Sequence, residues 1–155
     1  MRRRILLHII NAATMLSLWA CGGIDSAFCD FATLPAQGWA YGDTISLTPR
    51  YMSDSIAAGH LVVALRHNNS YPYSNIWLEV THTAPDGRVM RDTVNCVLAD
   101  MYGRWKGHGV GASFQFADTI PPQVAVTAGS PITIRHIMRV DTIRNIEHLG
   151  IMLVP

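Results

Sequence analysis

The chain has 155 residues, is 49% hydrophobic and 15% charged, and has a formal net charge of +1. This length and composition predict one globular domain and exclude a disordered chain. Three of the twelve basic residues lie at positions 2–4, so the chain without its first twenty residues has nine basic and eleven acidic residues, a net charge of −2. Since Lys106 is also the only lysine, neither nucleic-acid binding nor a polybasic membrane patch is expected.

The N-terminus predicts a targeting segment rather than part of the fold. Three arginines precede an uncharged, mostly apolar run at 5–20, and Cys21 follows it, which is the anatomy of a signal peptide. The run has 16 residues, whereas a spanning helix needs about 20. Because residues 18–21 (LWAC) resemble a bacterial lipobox, we predict a lipoprotein signal peptide over 1–20 and acylation of Cys21 by palmitate-type chains. Ordinary secretory cleavage near Ala20 is the alternative.

Residues 21–40 are predicted to form a short lipidated tether in front of a domain at 41–155. The stretch is rich in glycine, alanine and serine and contains Pro35 and Gly38. Four large apolar side chains are possible docking points for it: Phe28, Phe31, Leu34 and Trp39.

Two further cysteines, Cys29 and Cys96, are able to form a disulfide in an exported protein. Cys96 lies in an apolar run, so we favour a buried free thiol that packs as a small hydrophobe. The sequence has neither a C-x-x-C motif nor a Cys/His cluster at metal spacing, and we expect no metal and no cofactor.

From residue 41 onwards, short apolar segments with a period of two predict β-strands. In chain order they lie at 45–47, 61–65, 76–80, 94–98, 114–116, 124–126, 132–138 and 151–154. Turn-forming residues separate them: Asn68-Asn69, Pro85-Asp86-Gly87, Tyr102-Gly103, Pro121-Pro122 and Gly129-Ser130-Pro131. The pattern predicts an all-β, antiparallel β-sandwich of about eight short strands. One or two helical turns are expected only around 142–148.

Two long motifs go beyond this pattern. Residues 66–78 read RHNNSYPYSNIWL, and residues 92–111 read DTVNCVLADMYGRWKGHGVG. Together with LPAQGW at 34–39 and HLGI at 148–151, they resemble the gliding motility lipoprotein GldH family over nearly the whole mature chain. The sequence departs from the family pattern at Lys106 and His108, where smaller or less polar residues are expected.

The resemblance implies an outer-membrane lipoprotein. It also implies a link to motility, because some members of the family are needed for gliding and for the linked secretion system. We expect a structural or accessory component that contacts the membrane through its anchor and binds envelope proteins of a motility or secretion assembly, without catalysis. No catalytic residue is carried over from the family. The alternative is a carbohydrate-binding envelope lipoprotein that uses Trp77 or Trp105 as a stacking platform. An exposed tryptophan beside Asp and Asn would favour this alternative.

The motifs supply the candidate partner-binding residues: Arg66, His67, Asn68, Tyr71, Tyr73, Asn75, Trp77, Asp100, Arg104 and Trp105. Aromatic and hydrogen-bonding groups on one loop form a binding surface in many sandwich domains, although they also serve as a structural corner. For residues 100–105 we expect an Asp–Arg ion pair stacked on the indole.

The remaining polar patterns favour structural roles over chemistry. His82 and His136 lie on apolar strand faces and are expected to be hydrogen-bonded core residues. The glycine-rich run 107–111 predicts a bulge or tight loop. Glu79 and Glu147 are the only glutamates, and Gly-x-Ser-x-Gly and His-Glu-x-x-His motifs are absent from the sequence, so no enzyme is predicted.

One tripeptide, Asp-Ser/Thr-apolar, occurs six times. It resembles the acceptor of a periplasmic O-glycosylation system known from relatives of gliding bacteria. The alternative is turn chemistry at the entry to a strand. The candidate acceptors are Ser26, Thr44, Ser55, Thr93, Thr119 and Thr142.

Overall fold

The computed structural model describes residues 26–50 and 52–155, and within them every regular element is a β-strand. Eleven strands follow in chain order: β1 Phe28–Thr33, β2 Trp39–Ala40, β3 Ile45–Leu47, β4 Ile56–Asn68, β5 Asn75–Thr83, β6 Val89–Val97, β7 His108–Val110, β8 Ser113–Thr127, β9 Ile132–His136, β10 Thr142–Ile143 and β11 Ile146–Val154. The predicted all-β class with antiparallel pairing is therefore confirmed, with eleven strands instead of about eight, and with β4, β5, β6, β8 and β11 longer than expected.

Two sheets form the body of the sandwich. The five-stranded sheet has the order β1-β11-β4-β8-β7, and the four-stranded sheet has the order β3-β9-β5-β6. Strands β10 and β2 form a separate two-stranded sheet. Alternate residues of the central strands face inward and are buried, as in Leu61, Val63 and Leu65 of β4 and Ile76 and Leu78 of β5. The core therefore lies between the inner faces of the two sheets.

Strands β1 and β2 lie within the segment 21–40 that was expected to be a tether. Phe28, Leu34 and Trp39 are buried, whereas Phe31 is exposed. The six residues of β1 pair in register with β11 from Phe28↔Leu153 to Thr33↔His148. Among the described residues, the sandwich therefore includes strands that precede residue 41, because these apolar side chains are part of the core. The predicted signal peptide and Cys21 lie outside the described residues.

Two local expectations were wrong. Pro121-Pro122 does not end a strand, since β8 continues through it to Thr127. The pairing with β4 shifts there, between Gly59 and Leu61, and β7 pairs with β8 only from His108↔Gln115 to Val110↔Ser113. The prolines are therefore tolerated at an irregular edge where no ladder hydrogen bond is needed. The segment 142–148 has no helical turn, because it forms β10 and the start of β11.

The sandwich has two ends, which are named here by their residues. The apical end holds the loops 68–74 and 98–107 and the turn 111–112. The basal end holds the start of β1 and the β5–β6 turn at 84–88. Phe28 pairs with Leu153, and Leu153 pairs with Leu61 of β4. Leu61 precedes Asn68 by seven residues along β4, so the start of β1 lies about 23 Å from the apical end.

Candidate functional site

His67 is the centre of an aromatic cluster at the apical end. It continues the inward-facing series of β4 and is fully buried. Its ring centroid lies 4.5 Å from that of Trp105, 5.7 Å from Phe114 and 5.8 Å from Tyr71. The Nδ1 atom lies 3.2 Å from the carbonyl oxygen of Asn68, and burial lowers the pKa of His67. His67 is therefore a core residue and not a surface residue.

Hydrogen bonds hold the two long motifs against each other around this cluster. The indole Nε1 of Trp105 donates to Oδ1 of Asn69 at 2.7 Å. The backbone N–H groups of Leu98 and Ala99 both donate to the carbonyl oxygen of Ser74, at 2.8 and 2.9 Å. The Tyr71 hydroxyl donates to the carbonyl oxygen of Asn75 at 2.9 Å. Two segments some thirty residues apart in sequence therefore form one packed unit.

The loop 100–104 protrudes from this unit and is internally braced. Oδ1 of Asp100 accepts the N–H groups of both Tyr102 and Arg104 at 2.9 Å, and its Oδ2 lies 2.8 Å from Nε of Arg104. These hydrogen bonds, chiefly those from Arg104, lower the pKa of the Asp100 carboxyl. Gly103 closes the turn at a φ of +77°, which favours glycine.

Two apolar side chains stand at the tip of this braced loop. Met101 is 89% exposed and Tyr102 is 75% exposed. The guanidinium of Arg104 lies 5.4 Å from the centroid of the Tyr102 ring. The expected stacking of the ion pair on the Trp105 indole is therefore wrong, because the half-buried indole packs against His67 instead.

The sequence interpretation missed Met101 and Tyr102, as well as Val110, which is 91% exposed at the β7–β8 turn. Asn69 contacts both the loop 98–107 and the turn 111–112. Its N–H donates to the carbonyl oxygen of Ala112, and its side chain accepts the Trp105 indole N–H. The two loops thus lie side by side at the apical end. The spacing Asp100-x-x-Gly103 predicts the turn and places Met101 and Tyr102 at its tip, a signal that the sequence interpretation did not use.

Most of the polar candidate residues have partners within the fold. Arg66 pairs with Glu147 at 3.1 Å. Asn68 donates to Oδ1 of Asn145 at 3.3 Å, and Asn75 donates to Oδ1 of Asn95 at 2.6 Å. Tyr73 packs edge-on against Tyr71, with 5.6 Å between ring centroids. These contacts support the structural-corner interpretation for much of the loop 66–75.

Trp77 occupies a different surface, the outer face of the four-stranded sheet. It is 41% exposed and is paired across the strands with Asn95. Two positions along β5, Glu79 binds Arg135 at 2.8 Å and lies 3.7 Å from Arg91. The hydrogen bond from Arg135 lowers the pKa of Glu79. Trp77 is thus a partly exposed aromatic ring on a sheet face that carries both polar and apolar residues, including the exposed Val97.

The two remaining core histidines are both buried. Nε2 of His136 lies 3.1 Å from the carbonyl oxygen of Trp39, as predicted. The Nδ1 atoms of His82 and of His136 have no hydrogen-bond partner among the described residues. Cys96 is buried and does not pair with the exposed Cys29, which confirms the free-thiol interpretation.

Within residues 26–50 and 52–155, no three His, Cys, Asp or Glu side chains lie close enough together to hold a metal ion. In the same part of the chain, no helix has the length and apolar character needed to cross a bilayer.

Five of the six candidate O-glycosylation acceptors are exposed: Thr44, Ser55, Thr93, Thr119 and Thr142. Ser26 is half-buried. Modification remains a prediction, and we expect the intact mass of the natively exported protein to exceed that of peptide plus lipid by whole sugar residues. A mass equal to peptide plus lipid alone would eliminate it.

Comparison with known proteins gives two matches. The sequence profile of the family described as "GldH lipoprotein" matches residues 26–153. The "Gliding motility lipoprotein GldH homolog" of Christiangramia forsetii is 36% identical over 58 residues, which is 37% of this chain. The aligned segment spans about a third of that relative, 36% of its length.

Proposed function

Since this chain belongs to the GldH lipoprotein family, we propose that it is an outer-membrane lipoprotein that acts as an accessory component of a gliding-motility or linked protein-secretion assembly. Family membership makes it a motility-associated lipoprotein. The proposal adds that acyl chains on Cys21 anchor it and that its apical end binds an envelope protein, without catalysis.

The observation that carries the proposal is the braced loop 100–104. A loop fixed by one carboxylate loses little conformational entropy on binding, and preorganisation of this kind raises affinity. Methionine, tyrosine and arginine are enriched in the centres of protein interfaces. Met101, Tyr102 and Arg104 supply these three residue types on one rigid tip.

The position of the anchor fits this role. Residue 21 precedes β1 by seven residues, and β1 begins at the basal end of the sandwich. A domain tethered there directs its apical end away from the bilayer, towards other proteins. Because the anchor confines the protein to one surface, even weak contacts suffice for assembly.

Replacing the tip in the native organism tests the proposal. We expect Met101→Ser combined with Tyr102→Ala to abolish the function lost in a deletion strain, measured as spreading on a surface or as protein secreted into the medium. The matched control is Val89→Ser with Met90→Ala, because this pair is also exposed, 65% and 39%, but lies at the basal end. Normal spreading and secretion by the tip variant, at wild-type protein levels, would contradict the proposal.

A specific observation also favours carbohydrate binding as a second candidate function. Trp77 is partly exposed and has Asn95 opposite and Asn75 two positions along the strand. An aromatic face stacks on the apolar face of a sugar ring, while neighbouring amides bond its hydroxyls. Trp105 does not qualify, because its half-buried ring packs against His67 and Phe114.

This second candidate predicts a different phenotype. The deletion strain would then show a growth defect confined to one glycan, and Trp77→Ala would abolish binding to that glycan in calorimetry. Normal growth on all glycans, or unchanged binding by Trp77→Ala, would eliminate it.

A further inference from the structure

The outer face of the five-stranded sheet carries a groove of about 770 Å³ that the proposed function does not use. The strand register explains its shape. Phe31 is opposite Gly150, Gly150 is opposite Ala64, and Ala64 is opposite Ala117, so beyond Phe31 this cross-strand row carries only glycine and alanine. The groove therefore runs across the strands rather than along them.

The floor of this groove is apolar and closely packed. The Phe31 ring lies so near Gly150 that a Cβ there would overlap it. Ala64 and Met152 are 9% and 7% exposed although they lie on the outer face. The Phe31 ring covers Gly150, so the open row runs from β11 across β4 and β8 to Lys106. This is about three strand spacings of about 4.8 Å, roughly 14 Å in total, which is long enough for the extended chain of dodecanoate.

One wall and one end of the groove are basic. The next cross-strand row places His148, Arg66, Gln115 and His108 side by side, and Lys106 closes the end beside β7. Arg66 is neutralised by Glu147, whereas no described carboxylate lies within ion-pairing distance of Lys106. No carboxylate lines the groove among the described residues.

We propose that this groove binds an anionic single-chain amphiphile, a long-chain carboxylate. The apolar row from Ala117 to Phe31 holds the acyl chain, and Lys106 pairs with the head group. The groove volume is within the range of small-molecule sites, which bury an apolar ligand and place a few polar groups to fix its orientation. The apolar floor and the excess of positive charge at one end match this ligand and disfavour a cationic or a fully polar one.

The single lysine makes the test specific. Reductive methylation with ¹³C-formaldehyde keeps the charge of the amine and labels only Lys106 and the terminal amine. The protein is the full mature chain, residues 21–155, with Cys21→Ser, so that no acyl group of its own competes. Dodecanoate below its critical micelle concentration is expected to shift the Lys106 resonance saturably and to leave the terminal amine unchanged.

Chain length, head-group charge and groove volume are varied separately. Octanoate is expected to bind more than about tenfold more weakly than dodecanoate, since four methylenes are lost. Dodecyltrimethylammonium is expected to bind at least about tenfold more weakly than dodecanoate, because its head group is repelled by Lys106.

Two variants locate the binding. Ala117→Leu fills the groove at an exposed position and is expected to weaken dodecanoate binding by about tenfold or more. Ala125→Leu is the matched control, because it makes the same change on the same strand outside the groove. The proposal is overturned if the Lys106 resonance shows no saturable shift, if the cationic amphiphile binds as well as dodecanoate, or if Ala117→Leu binds like Ala125→Leu.

Discussion

We expect Trp39→Ala to destabilise the domain by about 3–5 kcal/mol, the usual cost of removing a fully buried large aromatic side chain. Trp39 is 1% exposed, its Nε1 donates to the carbonyl oxygen of Asp43 at 2.9 Å, and its ring lies 5.2 Å from that of His136. The substitution leaves a cavity and removes this hydrogen bond. Equilibrium unfolding in urea at pH 7.5 measures the change in free energy.

Trp77→Ala is the matched control, because Trp77 is 41% exposed and its loss is expected to cost less than about 1 kcal/mol. Similar effects of the two substitutions would show that residues 34–40 are not part of the core. The segment first expected to be a tether would then be one in solution.

Acid is expected to destabilise the protein below about pH 6.5 through three buried histidines. Burial is the main cause that lowers the pKa of His67, of His82 and of His136 below the ordinary value of 6.5. The unfolded chain therefore binds more protons than the folded chain below pH 6.5. Stability is complete above that pH and is lost as the pH falls from 6.5 towards the lower folded values, with a slope of at most about 1.4 kcal/mol per pH unit for each histidine.

Urea unfolding between pH 7.5 and pH 5.0 measures this loss. The carboxyls whose pKa is lowered by hydrogen bonds from arginine contribute little in this range, because the ordinary pKa is 4.5 for Glu79 and 3.8 for Asp86 and Asp100. A free energy of unfolding that stays constant between pH 7.5 and pH 5.0 would contradict buried, neutral histidines.

The sequence predicted those features of the fold that depend on local patterns. Apolar residues with a period of two revealed the all-β class and the antiparallel arrangement, because a half-buried strand requires that alternation. The same reasoning failed at Pro121-Pro122, where the strand is an edge and needs no ladder hydrogen bonds. It also failed for β1, whose single buried aromatic at Phe28 gives too short a pattern to distinguish a strand from a tether.

The sequence predicted which residues meet at the candidate site, but not what each of them contacts there. The motifs 66–78 and 92–111 identified the residues that meet at the apical end. Only the three-dimensional register shows that His67 faces the core and that Trp105 packs on it. The turn signal Asp100-x-x-Gly103 indicated that Met101 and Tyr102 are exposed, whereas no sequence pattern indicated that their loop is packed against the loop 68–74. The groove was missed because the residues of its floor come from four separate strands: Phe31, Gly150, Ala64 and Ala117.

Site-specific photocrosslinking in living cells tests most directly whether the apical loop of this anchored domain binds an envelope protein. A benzophenone amino acid placed at Tyr102 is expected to form one discrete adduct with an envelope protein, and the same probe at Val89 of the basal end is expected to form none. The adduct should disappear with Cys21→Ser, since the anchor confines the domain to its partner's membrane. No adduct at Tyr102, or the same adducts from both positions, would contradict the account.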